Sequence, residues 1–414
     1  MTRLRALLLL ATFGGATLPA ADWTRFRGPN GDGTAEMAIP AKWSAKENVA
    51  WAVEVGAGNS SPIIVKGRLF LQTATRDGSK RSLVCLDAKT GKPKWEKSFG
   101  GQPAKVHVKS SLASCTPVTD GTNVYCAVWD GKAVTVFAHD IDGNKKWDTE
   151  LGAFESQHGA GLSPIVHDGK VFINFDQDGA AEFVALDAQT GDRAWSASRK
   201  AYRACYSTPV VRELPNKATE IVVFSTAGAA GYDPKSGNVN WSWTIPWQPG
   251  EMALRSVASP LLVGDTVVCL TGDGSGSRYC AAITVKDAKA TVNWEKRSSK
   301  LAPYVPCPVV KGEHLYWVTD LGIAECLELK SGRIVWTARA TNSAVSASPV
   351  LLGDKFVIVD EKGKATVLKA DPKEYEKVGE GDIGEAVFAS PAVADGSLYI
   401  RGAKRLYCIR NAGT

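Results

Sequence analysis

Short hydrophobic runs alternate with polar turns along nearly the whole chain. In the strings Gly67-Arg68-Leu69-Phe70-Leu71 and Gly169-Lys170-Val171-Phe172-Ile173, a turn containing Gly leads into an apolar run. The 40 Gly and 20 Pro residues are scattered between such runs. Short runs rich in β-branched and aromatic residues and bounded by Gly or Pro are typical of strands and turns. The pattern therefore predicts an all-β protein rather than one built from long helices.

The apolar runs are organised in a repeat. A Pro followed by apolar residues recurs at Pro62, Pro117, Pro164, Pro209, Pro260, Pro308, Pro349 and Pro391. Successive copies lie 41 to 55 residues apart, as from Pro308 to Pro349 and from Pro62 to Pro117. Self-similarity at this period is the signature of propellers and solenoids. The eight copies predict an eight-bladed β-propeller of four-stranded antiparallel blades, with a linear solenoid as the alternative.

A second repeated element ends the third strand of each copy. It reads Leu86-Asp87-Ala88-Lys89-Thr90-Gly91 and Leu186-Asp187-Ala188-Gln189-Thr190-Gly191, with a Trp four residues after the Gly. The Asp accepts hydrogen bonds from turn amides, the Gly supplies a positive φ, and the Trp fills the gap between neighbouring blades. Two copies are degenerate, since Ala290 replaces the Gly before Trp294 and Tyr375 replaces a Trp. The expected docking residues are Trp51, Trp95, Trp147, Trp195, Trp241, Trp294 and Trp336.

The two ends of the repeat array complement each other. The last copy stops after its third strand, Leu406-Tyr407-Cys408-Ile409, whereas residues 48–55 form an unmatched fourth strand that contains Trp51. We therefore expect the N-terminal strand to complete the last blade and close the ring, which removes exposed sheet edges. The predicted domains are an N-terminal extension over residues 21–47 and the propeller over residues 48–414.

The first twenty residues have the pattern of a secretory signal peptide. Arg3 and Arg5 precede an apolar run, and small residues surround Ala20. An uncleaved anchor is the alternative, but the run is shorter than the roughly 20 apolar residues that span a bilayer. We expect cleavage near Ala20, a periplasmic or secreted product, and no membrane span in the mature chain.

The small formal charge excludes one class of expected partner, and the cysteine pattern bears on disulfide formation. Loss of Arg3 and Arg5 lowers the formal charge from +6 to +4, without any basic run, so nucleic acid is not an expected partner. The nine cysteines are odd in number and irregularly spaced, which predicts small buried side chains rather than a disulfide framework. A Cys269–Cys280 pair flanking one hairpin is the alternative.

The Leu-Asp-Ala-x-Thr-Gly-x-x-x-Trp element resembles the docking motif of the pyrroloquinoline-quinone (PQQ) propeller family, over about Trp51 to Ile409. That family includes quinone-dependent alcohol dehydrogenases and a propeller lipoprotein that helps assemble outer-membrane barrels. Three strings, Trp23-Thr24-Arg25-Phe26-Arg27-Gly28-Pro29-Asn30-Gly31, His158-Gly159-Ala160-Gly161 and Asp176-Gln177-Asp178-Gly179, are similar to exported planctomycete-type propellers without an assigned role. The resemblance is specific for the fold, but it says little about the activity.

The enzymatic hallmarks of that family are missing from the sequence. Its quinone dehydrogenases typically have adjacent disulfide-bonded cysteines, and here no two cysteines are adjacent and no Cys-x-x-Cys-His string occurs. We therefore expect no catalytic centre and no cofactor, and predict a binding or scaffold module of the cell envelope. A PQQ- and Ca²⁺-dependent oxidoreductase is the alternative. In Asp140-Ile141-Asp142-Gly143-Asn144, ordinary turn chemistry is preferred over a calcium site. In the 176–179 loop, two carboxylates alone fall short of the about six to eight oxygen ligands that calcium takes.

Long, varied connectors mark the face on which a site is expected. Four long connectors lie on one face of the predicted ring, opposite the short Gly turns: residues 98–114, 151–161, 243–258 and 298–305. Binding residues usually lie on such loops. The partner would be an envelope protein or a small polar ligand. Solvated loops or a structural polar network are the alternative. The candidate ligand-binding residues are His107, Lys109, His158, Asp176, Gln177, Asp178, Arg203, Tyr206, Arg255 and Tyr304.

Overall fold

Every regular element in residues 22–299 and 301–411, the part of the chain that the computed structural model describes, is a β-strand. The predicted signal peptide lies outside these residues. None of the described segments forms a helix long and apolar enough to cross a bilayer. The described chain begins with the N-terminal extension, which carries β1 (Thr34–Ala35) and β2 (Lys42–Trp43). It continues with β3 (Val49–Glu54).

Six four-stranded antiparallel blades follow in chain order, and in each the first strand is innermost. Blade 1 contains β4 (Ile63–Val65), β5 (Arg68–Ala74), β6 (Lys80–Asp87) and β7 (Pro93–Gly100). Blade 2 contains β8 (Val118–Thr119), β9 (Asn123–Trp129), β10 (Ala133–Asp140) and β11 (Lys145–Ala153), and blade 3 contains β12 (Ile165–His167), β13 (Lys170–Phe175), β14 (Ala181–Asp187) and β15 (Arg193–Arg199).

Blades 4 to 6 have the same order. Blade 4 contains β16 (Val210–Glu213), β17 (Thr219–Ser225), β18 (Gly228–Tyr232) and β19 (Val239–Thr244), and blade 5 contains β20 (Leu261–Val263), β21 (Thr266–Gly272), β22 (Ser277–Lys286) and β23 (Lys289–Ser299). Blade 6 contains β24 (Val309–Lys311), β25 (His314–Val318), β26 (Ile323–Glu328) and β27 (Ile334–Arg339). The remaining strands are β28 (Val350–Leu352), β29 (Lys355–Val359), β30 (Lys364–Lys369), β31 (Lys377–Asp382), β32 (Ala392–Ala394), β33 (Ser397–Arg401) and β34 (Arg405–Ile409).

The prediction of eight four-stranded antiparallel blades is wrong. Within the described residues, seven sheets are four-stranded antiparallel blades: blades 1 to 6 and a closing blade made of β3, β34, β33 and β32. The other sheet, here called the mixed sheet, has six strands in the order β1-β28-β29-β30-β31-β2. Its two outermost strands come from the N-terminal extension and pair in parallel with β28 and β31. Strands of two residues show no alternation, so the sequence pattern could not reveal them.

The predicted pairing of the N-terminal strand with the last repeat is confirmed. β3 lies antiparallel to β34, with Trp51 opposite Cys408 and Ala52 opposite Tyr407. The closing blade then contacts blade 1, because the backbone N–H of Ser390 donates to Ser61 Oγ at 3.1 Å. Residues 329 positions apart are thereby joined at the point where the ring closes.

Tryptophans on the outermost strands dock on the turn of the next sheet. Gly91 has a φ of 71°, and a Cβ there would lie 2.8 Å from the Trp51 ring, so the turn needs Gly for both its backbone and the close contact. Trp241 differs and donates to Glu220 Oε1 of its own blade at 2.7 Å, because blade 5 replaces the docking turn with a two-residue hairpin. The indole donors and carbonyl acceptors of the other six are Trp51–Ala88, Trp95–Ile141, Trp147–Ala188, Trp195–Pro234, Trp294–Leu329 and Trp336–Asp371.

All nine cysteines are buried and none forms a disulfide. Cys269 and Cys280 pack into different hydrophobic clusters on the two sides of blade 5. Their side chains leave the sheet in opposite directions, so the alternative of a disulfide between them is wrong.

Candidate functional site

The N-terminal extension crosses the ring axis and closes one end of it. Trp23 exchanges two backbone hydrogen bonds with Ile64 of blade 1, at 2.8 and 2.9 Å. The side chains of Arg25 and Arg27 then reach carbonyl groups on the far side of the ring. Their acceptors are Pro209 for Arg25, and Pro308 and Pro349 for Arg27, at 3.2, 2.6 and 3.2 Å. Residues 23–33 therefore form a plug that joins blades 1, 4 and 6 to the mixed sheet.

Glycines allow the plug to fold back on itself. Gly28 has a φ of 79°, and a Cβ at this residue would lie 2.7 Å from the Trp23 ring. Gly33 has a φ of 76° and lies equally close to the Arg27 guanidinium. Since both glycines have a positive φ and a side chain at either would meet the plug's own side chains, the two positions require Gly.

A ring of polar side chains surrounds the axis directly above the plug. Each member is the residue that precedes one of the repeated prolines, and in every member except Thr208 the side chain accepts the backbone N–H of the member before it. The bonds run from Ser61 to Thr116, Thr116 to Ser163, Thr208 to Ser259, Ser259 to Cys307, Cys307 to Ser348, Ser348 to Ser390 and Ser390 to Ser61, at 2.9–3.2 Å. We call these residues the hydroxyl ring, which includes one thiol. Sequence reasoning recorded the prolines and missed the Ser, Thr or Cys before each of them.

The hydroxyl ring forms the lower wall of a blind cavity of about 650 Å³. Phe26 of the plug closes its base, and its mouth opens between the long connectors. All members of the hydroxyl ring except Ser259 line it. Concave, partly apolar sites with a few convergent polar groups are the usual form of ligand pockets. The cavity is therefore the candidate site.

Five of the ten predicted site residues line this cavity: His107, Lys109, His158, Tyr206 and Tyr304. The His107 and His158 rings pack edge to face with centroids 4.9 Å apart. Burial lowers the pKa of His158, and the nearby Arg255, His107 and Arg203 lower it further. Burial also raises the pKa of Tyr206 and raises that of Tyr304 to about 12. Burial and the nearby cations therefore favour the neutral form of His158 at the mouth.

Lys109 ties its connector across the mouth of the cavity. Its Nζ lies 2.6 Å from Glu361 Oε1, in the turn between β29 and β30 of the mixed sheet. Glu361 also accepts a hydrogen bond from Ser346 Oγ at 2.6 Å. The connector between blades 1 and 2 is thus fastened to the mixed sheet, which the closing blade separates from blade 1.

The other five predicted residues lie outside the cavity lining. Asp176 is fully buried, and its Oδ1 forms an ion pair with Arg199 Nε at 2.9 Å. Burial raises the pKa of Asp176, and the charge of Arg199 opposes this shift. Asp178 accepts the N–H of Ala204 at 2.7 Å, and Gln177 accepts that of Glu155 at 2.7 Å. These three side chains hold connectors together around blade 3. The burial of Asp176 and Gln177 could not be read from the sequence, and Asp178 is exposed.

Arg203 and Arg255 flank the mouth. Arg255 donates to Gln157 Oε1 at 3.0 Å and to the Ala204 carbonyl at 3.3 Å. Arg203 reaches the Ala253 carbonyl at 3.5 Å and has no carboxylate partner in the described chain. Asp140, considered for calcium, accepts the N–H groups of Asp142 and Asn144 in its own turn. No cluster of three His, Cys, Asp or Glu suited to a metal occurs among the described residues.

Exposed apolar side chains are concentrated on the same face as the mouth. Val108, Tyr202, Met252, Leu301 and Leu321 are 46–88% exposed, and all lie in connectors of that face. We call these five residues the apolar rim. The other large exposed hydrophobic residues of the described chain are Val239, Val292 and Ile334, which lie on the outermost strands β19, β23 and β27. Apolar side chains exposed in the connectors of a single face favour that face as an interaction surface.

Antiparallel sheets arranged radially around an axial cavity, with the last sheet completed by the N-terminal strand, define the β-propeller class. The chain belongs to the family described as outer membrane protein assembly factor BamB. The model of that family matches residues 41–173 and 106–338. The resemblance to PQQ-type propellers is thereby confirmed.

Individual relatives agree with this assignment. The chain is 23% identical over 360 residues to the outer membrane protein assembly factor BamB of Burkholderia pseudomallei strain K96243, covering 84% of each chain. The crystal structure of BamB from Moraxella catarrhalis matches 88% of this chain and 98% of its own at 12% identity and a TM-score of 0.63. Quinohemoprotein alcohol dehydrogenase from Comamonas testosteroni matches 95% of this chain and 81% of its own at 14% identity and a TM-score of 0.65. At these identities the two structures establish the fold alone.

Proposed function

We propose that the protein is an exported binding or scaffold module of the cell envelope, and that the face around the cavity mouth binds a protein partner. The apolar rim is the observation that carries this proposal. Family membership supports it, because the curated relative is named as an outer membrane protein assembly factor. We propose the same task for this chain in the periplasm.

The charges next to the rim indicate the chemistry of the partner. Lys200 Nζ lies 4.8 Å from the centre of the Tyr202 ring, and the Arg203 guanidinium lies 3.4 Å from Met252 Sδ. Neither cation has a carboxylate partner within the part of the chain that is described. An acidic segment with apolar side chains would therefore complement this surface, with charge guiding association and apolar contacts adding affinity.

The predicted residues at the mouth belong to the same proposal. His107, Lys109 and His158 stand between the rim and the cavity, so a partner segment that covers the opening would contact them. Replacing both imidazoles in a His107→Ala/His158→Ala variant removes one exposed and one half-buried connector side chain, so it should lower the free energy of unfolding by about 1 kcal/mol or less. The same variant should bind the partner more weakly.

A complementation experiment tests the proposal. A strain lacking the protein is supplied with the wild type, with a Tyr202→Asp/Met252→Asp variant, or with a Val239→Asp control on an outermost strand, and the abundance of outer-membrane proteins is measured. We expect the wild type and the control to restore that abundance and the rim variant to fail while remaining folded. If the rim variant restores it fully, or if loss of the protein changes no outer-membrane protein, the proposal is wrong.

A further inference from the structure

The hydroxyl ring presents hydrogen-bond donors to the cavity. Within the described chain, the hydroxyl groups of Ser61, Thr116, Ser163, Thr208, Ser348 and Ser390 donate to no protein acceptor, although most of their oxygens accept a backbone N–H. These residues are at most 8% exposed and line the same cavity. Because buried hydroxyl groups normally use their hydrogen, the inner wall is suited to a ligand that accepts hydrogen bonds.

Two buried cations lie directly beneath this wall. Arg25 and Arg27 donate to the carbonyl groups of Pro209, Pro308 and Pro349, which directly follow ring members. All the hydrogen bonds of both guanidinium groups go to backbone carbonyls. Burial lowers the pKa of Arg25 to about 10 and lowers that of Arg27, and Asp32 opposes both shifts. A negative charge placed above them would therefore be favoured.

The carboxylates of the cavity lie at its other end. Asp273 and Asp320 are in turns on the face that carries the mouth. Asp320 is already engaged, because Arg278 and the backbone N–H groups of Tyr304 and Val305 donate to it. The base combines hydroxyl donors and positive charge, and Phe26, Phe388 and Tyr206 add apolar surface to the lining.

We propose that the base of the cavity binds a carboxylate group, which enters through the mouth on an apolar body. The carboxylate belongs either to a small organic acid or to the C-terminus of a peptide. The hydroxyl ring donates to its oxygens, and the two guanidinium groups supply the attractive field. Tyr206 and Phe388, each two residues before a ring member, contact the apolar body. This site is separate from the rim, so it does not depend on the rim binding a protein.

Calorimetric titration of the full exported chain tests the site with benzoate and with benzamide, its neutral counterpart. We expect benzoate to bind and benzamide to bind at least about tenfold more weakly, because hydrogen bonds to a charged group are the stronger ones. Equal binding of the two compounds, or no binding of benzoate, would overturn the proposal. A peptide ending in Phe with a free carboxylate is then compared with its C-terminal amide; binding better than benzoate assigns the site to peptides, and weaker binding assigns it to small acids.

Two ring variants identify the site. Thr208→Val removes a hydroxyl whose oxygen forms no hydrogen bond in the described chain, so it keeps the shape of the wall and the stability. Cys307→Ser replaces the one thiol of the ring with a better donor. Benzoate affinity should fall about tenfold in the first variant and rise in the second, because each changes one donor. Unchanged affinity in both variants would show that the carboxylate does not bind at the ring.

Discussion

Closure of the ring by the N-terminal strand can be tested by removing the strand or its anchor. Trp51 is half-buried in β3, its indole N–H donates to the Ala88 carbonyl at 3.2 Å, and its ring centroid lies 5.9 Å from that of Tyr399. Truncating a fully buried Trp to Ala costs about 3–5 kcal/mol. For this half-buried ring and its hydrogen bond we expect Trp51→Ala to lower the free energy of unfolding by about 2–3 kcal/mol.

Two deletions separate closure from the other contacts of the extension. Removing residues 22–47 takes away the plug, β1 and β2 but keeps β3, whereas removing residues 22–56 also takes away β3. Both should lower the urea midpoint, and the second should lower it further and increase hydrogen exchange in β34, which then becomes a free edge. Trp51→Phe is the matched control, since it keeps the ring contact and loses only the hydrogen bond. If the two deletions unfold alike and β34 stays protected, β3 does not close the ring.

Three further predictions follow from particular residues. Gly91→Ala should destabilise the protein more than Gly67→Ala, because both have a φ near 70° but only Gly91 would place its Cβ 2.8 Å from a Trp ring; equal urea midpoints would contradict this. Burial lowers the pKa of His139, His158 and His167 in the folded protein. The free energy of unfolding should therefore be fully present above their unfolded pKa of about 6.5 and should decrease as the pH falls towards their folded-state pKa values. A urea midpoint that does not fall between pH 7.5 and 5, or that falls equally after all three are replaced by Gln, would refute it. PQQ with Ca²⁺ should produce no thermal shift and no dye-linked alcohol oxidation, and quinone-dependent reduction of the dye would contradict the proposed non-enzymatic role.

The repeat and the closing strand could be predicted from the sequence because both are periodic features. The Gly91/Trp95 spacing recurs along the chain, and Trp51 stands on a strand without a partner in its own repeat. The mixed sheet could not be predicted, because β1 and β2 are two residues long and pair with strands more than 300 residues away.

The candidate site could be predicted only in part. Connector length placed His107 and His158 on one face, and both side chains line the cavity that opens there. Residue type does not report depth, so nothing distinguished the buried ion pair of Asp176 with Arg199 from an accessible carboxylate. The hydroxyl ring was readable in principle as a Ser, Thr or Cys before each repeated Pro.

Photo-cross-linking in intact cells tests most directly the claim that the mouth face binds a protein partner. A photoreactive amino acid is placed at Met252 or Tyr202 in the rim, or at Val239 or Ile334 on the outermost strands, which are exposed to a similar degree. We predict that both rim positions cross-link to one and the same envelope protein and that the outer-strand positions do not. Cross-linking to that protein from the outermost strands alone, or an equal yield from all four positions, would contradict the account.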